Sequence, residues 1–418
     1  MASYLSGALR QSTAYCEQAI ALLRALDERK HLPSSLATLV LSRGNYQTET
    51  LLPPAMGLTE SLHHGELALK IAREIGQRSD EAYTLIHMSM CLGPQGEYAR
   101  ALEQAQHGLA LAEDIEHYQW MTAGHWALGV LYFDLLVLPT AQQHLEQALA
   151  LAHEIGSQFF IRIVSGLLAR VALAQHDVTR AETILVAALG PHDPPQTIGQ
   201  RIIWYARAEL AFARDDCYLA LHIVDQLVTS AANHAQEEST PHLLKLRGEI
   251  FSALKQGAEA EMALHQARVT ALKHGLRPLL WRISLAQGKL AHSQRRYEEA
   301  ERTFAAAQEL VEDLASSLPD EPLHQHFLHQ AHVLFPHTRQ PSPRRLAKKT
   351  FEGLTQRERA VAALIARGKS NREIADSLGV TPGTIETHVS NILSKLHSSS
   401  RTQIAVWAME KGLANEAV

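Results

Sequence analysis

Three stretches decide the fold: ALKIAREIG at residues 68–76, GLALAEDIE at 108–116 and ALALAHEIG at 148–156 are near copies set 40 residues apart. Working outward, Ala101, Ala141, Ala181, Ala220, Ala260 and Ala300 continue the register in steps of 40, 40, 39, 40 and 40. A second column of mostly small residues runs in phase: Ser89, Gly129, Ala169, Ala208, Gly248 and Gly288. A third lies seven residues after the alanines: Gly108, Ala148, Ala188, Leu227, Ala267 and Ala307. Self-similarity at this period is the mark of a repeat array, in which each unit buries its apolar face only against its neighbours.

The columns have a mechanical reading. Two antiparallel helices approach closely only where small side chains face each other. One small residue on the first helix and two on the second, seven apart and so on one face, supply that contact. Segments 95–98 (QGEY) and 174–177 (AQHD) then serve as the turns between helices. This spacing resembles the tetratricopeptide repeat. Leu128, Gly129, Tyr132, Ala141, Leu145 and Ala148 fit its pattern well, and Trp204 falls where that repeat often carries tryptophan. The unit is longer than the usual repeat of about 34 residues. Six units are clear from about residue 79 to 318, and residues 1–78 read as one or two degraded units with a second helix over 14–23. Residues 31–60, with Pro33, Pro53 and Pro54, are less regular. The resemblance implies an all-α solenoid over residues 1–335 whose concave face takes a small-molecule or protein effector.

Composition agrees with a folded, helical chain. Of 418 residues, 46% are hydrophobic, 20% charged and only 6% aromatic, a balance that favours helix over sheet. Three separated cysteines, Cys16, Cys91 and Cys217, make neither a disulfide framework nor a cysteine zinc site. With no apolar run near the ~20 residues of a membrane span and no signal-peptide layout at the start, a cytoplasmic protein without membrane contact is expected. The net charge of −5 hides an asymmetry: residues 339–418 hold 13 Lys/Arg against 7 Asp/Glu, so the remainder is acidic. A basic module on an acidic body points the tail alone at a polyanion.

Residues 336–350 (PHTRQPSPRRLAKKT) change character, with three prolines and five Lys/Arg. They read as a linker, a solvated hinge that can add phosphate contacts through Arg344, Arg345, Lys348 and Lys349. Residues 351–418 then read as a compact four-helix unit. Thr355 and Glu358 make a capping box ahead of a stripe of Val361, Leu364 and Ile365. Asn371–Leu378 is a short helix ended by Gly379. Thr381 caps a third helix with Pro382 in its first turn, and a fourth starts near Ser400. A short helix, a glycine turn and a longer capped helix make a helix-turn-helix. The motifs LTQRER (354–359), ARGKSNREIA (366–375), TIETHVSNILSKL (384–396) and SRT (400–402) resemble the LuxR-type DNA-binding domain over residues 351–413.

That resemblance implies roles on double-stranded DNA. Glu386, Thr387 and Ser390 sit at positions that face base edges, opposite Ile385, Val389 and Ile392. Thr384, His388, Asn391 and Lys395 sit where backbone and packing contacts are made. Thr381 and Thr384, at the helix start, bring hydroxyls and N–H groups to phosphate, and Lys369, Ser370 and Asn371 open the second helix beside it. Glu386 departs from the lysine common in relatives; glutamate accepts a bond from cytosine N4, or else serves as an intrahelical partner. The resemblance further implies a homodimer on DNA through the fourth helix, with Trp407 and Met409 either as exposed apolar contacts or as residues buried within the monomer, and contact with RNA polymerase. An array followed by this module also resembles the C-terminal half of the large ATP-binding, MalT-like LuxR regulators, so the chain reads either as a short regulator or as part of a longer protein.

Other chemistries lack support. No phosphate loop, nucleophile elbow or metalloprotease helix occurs, and no cofactor or enzyme activity is expected. Among 24 histidines the densest group, His324, His326, His329 and His332 with His337 beyond, has no completing ligand set and reads as surface histidines of a terminal helix. The expectation is a sequence-specific transcriptional regulator whose array senses an effector. The competing reading is a repeat-based adaptor whose C-terminal domain mainly dimerises.

Overall fold

The structure is a computed structural model, and it describes residues 9–44, 58–232, 240–318, 320–336 and 351–413. Pro53, Pro54, His337 and the linker after Pro336 lie outside these residues. Two compact units divide the chain at Pro336. In the first are α1 (Leu9–Ala25), α2 (Leu32–Gly44), α3 (Leu58–Glu74), α4 (Arg78–Leu92), α5 (Tyr98–Asp114), α6 (Tyr118–Asp134), α7 (Leu138–Glu154) and α8 (Gln158–Ala174). It continues with α9 (Val178–Ala188), α10 (Ile198–Ala213), α11 (Cys217–Ala232), α12 (Pro241–Ala253), α13 (Gly257–Lys273), α14 (Arg277–Ser293), α15 (Tyr297–Ser316) and α16 (Glu321–Val333). All of these are helices, and among the described residues no strand occurs.

The antiparallel pairs α4/α5 through α14/α15 form the six regular units of a tetratricopeptide-like solenoid, and α16 follows them. Several starts are marked locally. Asp177, Thr197, Thr240 and Asp320 accept bonds from first-turn N–H groups, and Pro139, Pro241, Pro278 and Pro322 occupy first turns where a missing N–H costs nothing. The small-residue columns meet as expected. A Cβ on Gly129 would lie 2.6 Å from Leu145, and one on Gly248 would lie 2.6 Å from Leu264. The alanine column from Ala101 to Ala300 is fully buried. Residues 14–23 lie within α1, which packs against α2, and α2 against α3.

Turn chemistry is less visible in the sequence. The left-handed position after each first helix is Gly96 in one unit, but Leu136, His176, Asp215, Lys255 and Arg295 in the next five, all with φ between 60° and 64°. A side chain there costs of order 1 kcal/mol, offset by the helix packing on either side. Trp204 anchors the loop ahead of α10: its Nε1 donates to the Asp193 carbonyl at 2.7 Å, with the Arg207 guanidinium 4.8 Å above the ring.

The array closes on itself. Arg282 on α14 donates to the Asp134 carbonyl at the end of α6 at 2.9 Å, and Tyr98 on α5 meets Phe327 on α16 edge-on at 6.2 Å. His326 Nε2 lies 3.2 Å from the Leu136 carbonyl, and His324 Nδ1 lies 2.9 Å from that of Ala315. The reading of these histidines as surface groups is therefore corrected. It holds for His329 and His332, which are exposed, while His324 and His326 are half-buried pins between helices.

Candidate nucleic-acid interface

The second unit is built from α17 (Gln356–Ala366), α18 (Asn371–Leu378), α19 (Pro382–Lys395) and α20 (Arg401–Glu410). Leu354, Val361, Ile365, Ile374, Ile385, Ile392 and Ile404 form its core. Three of the four helices start with a full capping box: Thr355 with Glu358, Ser370 with Glu373 and Ser400 with Gln403. Thr381 caps α19, its hydroxyl accepting from the Thr384 N–H at 3.3 Å. Gly379, with φ at 65°, turns the chain sharply from α18 into α19.

Two polar ties hold the helices in register. Glu358 is buried, and the Lys395 ammonium lies 2.6 and 2.7 Å from its two oxygens, joining the start of α17 to the end of α19. Burial alone would push the Glu358 carboxyl up, but Lys395 and the Thr355 N–H and hydroxyl outweigh it and hold it below the usual carboxylate range. Arg401 at the start of α20 donates to Asn371 Oδ1 and to the Lys369 carbonyl, both at 2.6 Å, fixing where α18 begins. The Ser370 N–H, then its hydroxyl and Lys369, hold Glu373 down at about 2.

The result is a short helix, a tight turn and a long helix whose outer face is polar. The GerE family, described as bacterial regulatory proteins of the luxR family, matches residues 352–408. This unit is a LuxR-type helix-turn-helix. Over 64 residues the chain is 52% identical to the transcriptional regulatory protein LiaR of Bacillus subtilis (strain 168). Over 63 residues it is 49% identical to the response regulator protein VraR of Staphylococcus aureus (strain Mu3 / ATCC 700698). Each match covers 15% of this chain and 30% of the relative, so the likeness is confined to the module. The array has a separate neighbour. It is similar in fold to the Rap protein crystallised with Competence and Sporulation Factor, with a TM-score of 0.55, 14% identity, and 74% of this chain and 87% of that one covered.

Within the LuxR-type module the expected residues fall into two groups. Thr384, Glu386, Thr387, Ser390 and Asn391 are exposed on α19, opposite buried Ile385 and Ile392, with Val389 half-buried. Thr387 Oγ1 donates back to the Gly383 carbonyl at 3.1 Å and keeps its lone pairs outward. The other group works inside the module. Thr381 is a cap, Ser370 is half of a capping box, and Lys369 pairs with Glu373 at 3.3 Å. Asn371 and Lys395 are engaged by Arg401 and Glu358, and His388 is half-buried with its Nδ1 shielded from solvent.

Residue reading missed the role of Arg401. Its place directly after the Ser400 cap was visible in the SRT motif, but a 30-residue reach to Asn371 leaves no periodic trace. The α20 face is also redrawn. Trp407 turns inward, edge-on to Phe351 at 6.4 Å, and Val406 stands exposed with Met409 in its place. Among the described residues no group of three or more His, Cys, Asp or Glu converges as a metal site, and no helix is long and apolar enough to cross a membrane.

Proposed function

We propose that the chain is a sequence-specific bacterial transcription regulator in which α19 lies in the major groove of double-stranded DNA. One observation carries the reading: Glu386, Thr387 and Ser390 are exposed together on the face of α19 away from its buried isoleucines. Nothing inside the module occupies that face, and its side chains are the lengths that reach base edges. Thr381, Thr384 and the Gly383 N–H at the start of α19 meet phosphate, as does Lys369 at the start of α18. The basic balance of residues 339–418 supports the same orientation. Two copies bind paired half-sites through Val406 and Met409 on α20, and the bound pair touches RNA polymerase. The array takes the small-molecule or protein effector that governs binding. As a bacterial regulator with no enzymatic role it works in the cytoplasm.

Selection of bound fragments from random double-stranded DNA by the full chain tests this. The expected result is a two-part site whose affinity falls steeply with salt. Retention of DNA without sequence enrichment, or no retention at low salt, overturns it in favour of an adaptor. Sedimentation on the selected site should give two chains per duplex; one chain at saturation overturns the paired arrangement.

A further inference from the structure

The inner face of the array encloses a cavity of about 520 Å³ that the DNA-binding reading leaves unused. It is lined by α6, α8, α10, α12 and α14, with the end of α16 across it. Residues about 200 apart in sequence meet there because the array closes on itself. Its size lies in the range of small-molecule sites, roughly 300–1,000 Å³.

Two unlike walls face each other. One is apolar, made by Phe133, Leu136, Leu138, Leu279, Val333 and Leu334. Val333 and Leu334 remain exposed, although large apolar side chains at the end of a helix gain by burial. The other wall carries Arg170, Lys245 and Arg282 with the carboxylates of Asp134 and Glu209. Arg170 is nearly buried: its guanidinium lies 5.3 Å from the Phe133 ring and 4.9 Å from that of Tyr205, and its Nε is 2.6 Å from Glu209. Arg282 is held 3.4 Å from the Asp134 carboxylate and 4.6 Å over Trp281. Lys245 pairs with Glu249 on the next turn of α12 at 2.7 Å.

These cations are rigid, set against rings and carboxylates, so little side-chain entropy is lost when a ligand meets them. They also outnumber the carboxylates lining the cavity by three to two. Burial first, then Arg170, Lys245 and Arg282, hold the His242 imidazole in the same lining well below its usual range. A neutral ligand would leave the one cation in excess of the lining carboxylates unmatched, and a polyanion would leave the apolar wall bare.

We propose that this chamber binds a small organic acid, its carboxylate between Arg170, Lys245 and Arg282 and its apolar body on Phe133 and Leu279. The inference rests on the reading of the array as the effector-binding part, and names the class of effector. Calorimetric titration of the full chain with octanoate, octanol and octylammonium tests it. Octanoate should bind about tenfold more tightly than octanol, the difference of one charge-assisted contact, and octylammonium should not bind. Lys245→Gln should weaken octanoate about tenfold and leave octanol unchanged. Leu279→Trp, which fills the apolar wall, should abolish both while the helical circular dichroism is kept; should that variant unfold, Lys245→Gln decides alone. Octanol or octylammonium binding as tightly as octanoate, no heat from octanoate, or no effect of Lys245→Gln overturns the proposal. DNA binding by the same protein separates the two readings. Selective DNA binding without octanoate binding removes only the chamber, whereas octanoate binding without DNA binding removes only the regulator.

Discussion

In the repeat array, each helix pair meets through mostly small residues, one of them an alanine that recurs six times; in the LuxR-type module, four helices depend on a handful of contacts made once. Ala141 beneath Gly129 has counterparts in every unit, so loosening one pair leaves five like it. Glu358 with Lys395, and Arg401 with Asn371, have no second copy within the module. The difference teaches where each unit is fragile: the array at its points of closest backbone approach, the module at its buried charge.

Lys395→Ala should have the largest effect. It strands the buried Glu358 carboxylate at a cost of about 3 kcal/mol, the lower end because the lysine is itself partly exposed. The pH behaviour follows from the sign. A carboxyl held below its unfolded value adds stability above that value and loses it as pH falls through the folded one. Without Lys395 the carboxyl rises, so the module should melt at higher pH than the parent. Calorimetry of the full chain should show the module's transition move and the array's stay; a common shift of both would break the comparison.

Gly129→Val attacks the other side. Its branched side chain enters space 2.6 Å from Leu145, and overpacking of that kind costs about 2 kcal/mol, partly offset by losing a helical glycine. The array's transition alone should fall, by an amount similar to that for Gly248→Val against Leu264. Unequal losses would show that the six units are not equivalent.

Glu386→Lys tests the outer face rather than the fold. Thermal stability should be unchanged, while discrimination between DNA sites falls about tenfold and the salt slope steepens by about one unit. Unchanged affinity and preference would mean that this side chain does not face the groove. Asn391→Ala, by contrast, should weaken all sequences alike.

The smallest effect belongs to Ser370→Ala, which removes a cap at a cost of about 1 kcal/mol. Glu373, held at about 2 chiefly by the Ser370 N–H and hydroxyl, adds stability above its unfolded value that is lost only as pH falls through about 2. The variant keeps the N–H and loses only the hydroxyl's share of this hold, so Glu373 should protonate at a somewhat higher pH, seen as a slightly earlier acid transition by circular dichroism.

How far each unit was legible follows from the kind of contact that builds it. The array's helix pairing was readable because a close approach demands a small residue at every turn of the repeat, and repetition makes six weak signals into one strong one. The module's start and stop points were readable at Thr355, Gly379 and Thr381, since capping is a contact between neighbours in the chain. Turns in the array were readable at 95–98 and 174–177, but where Leu136, Asp215 and Lys255 replace glycine at a left-handed position, the usual marker is gone. Nor was it visible that Trp407 turns inward and Val406 outward, because α20 carries apolar residues on more than one side.

By itself the sequence determined the all-helical class, the 40-residue unit, the helix-turn-helix character of the C-terminal unit and the outward face of α19. Periodicity and capping are local, and a single chain displays them in full. Tertiary structure alone decided that Lys395 answers a buried Glu358, that Arg401 holds Asn371, and that Arg170, Lys245 and Arg282 converge on one cavity. Each joins residues tens or hundreds of positions apart, and their meeting depends on how the array curves and how α19 crosses α17. Small angles summed over many helices set those distances, and no stretch of sequence records the sum.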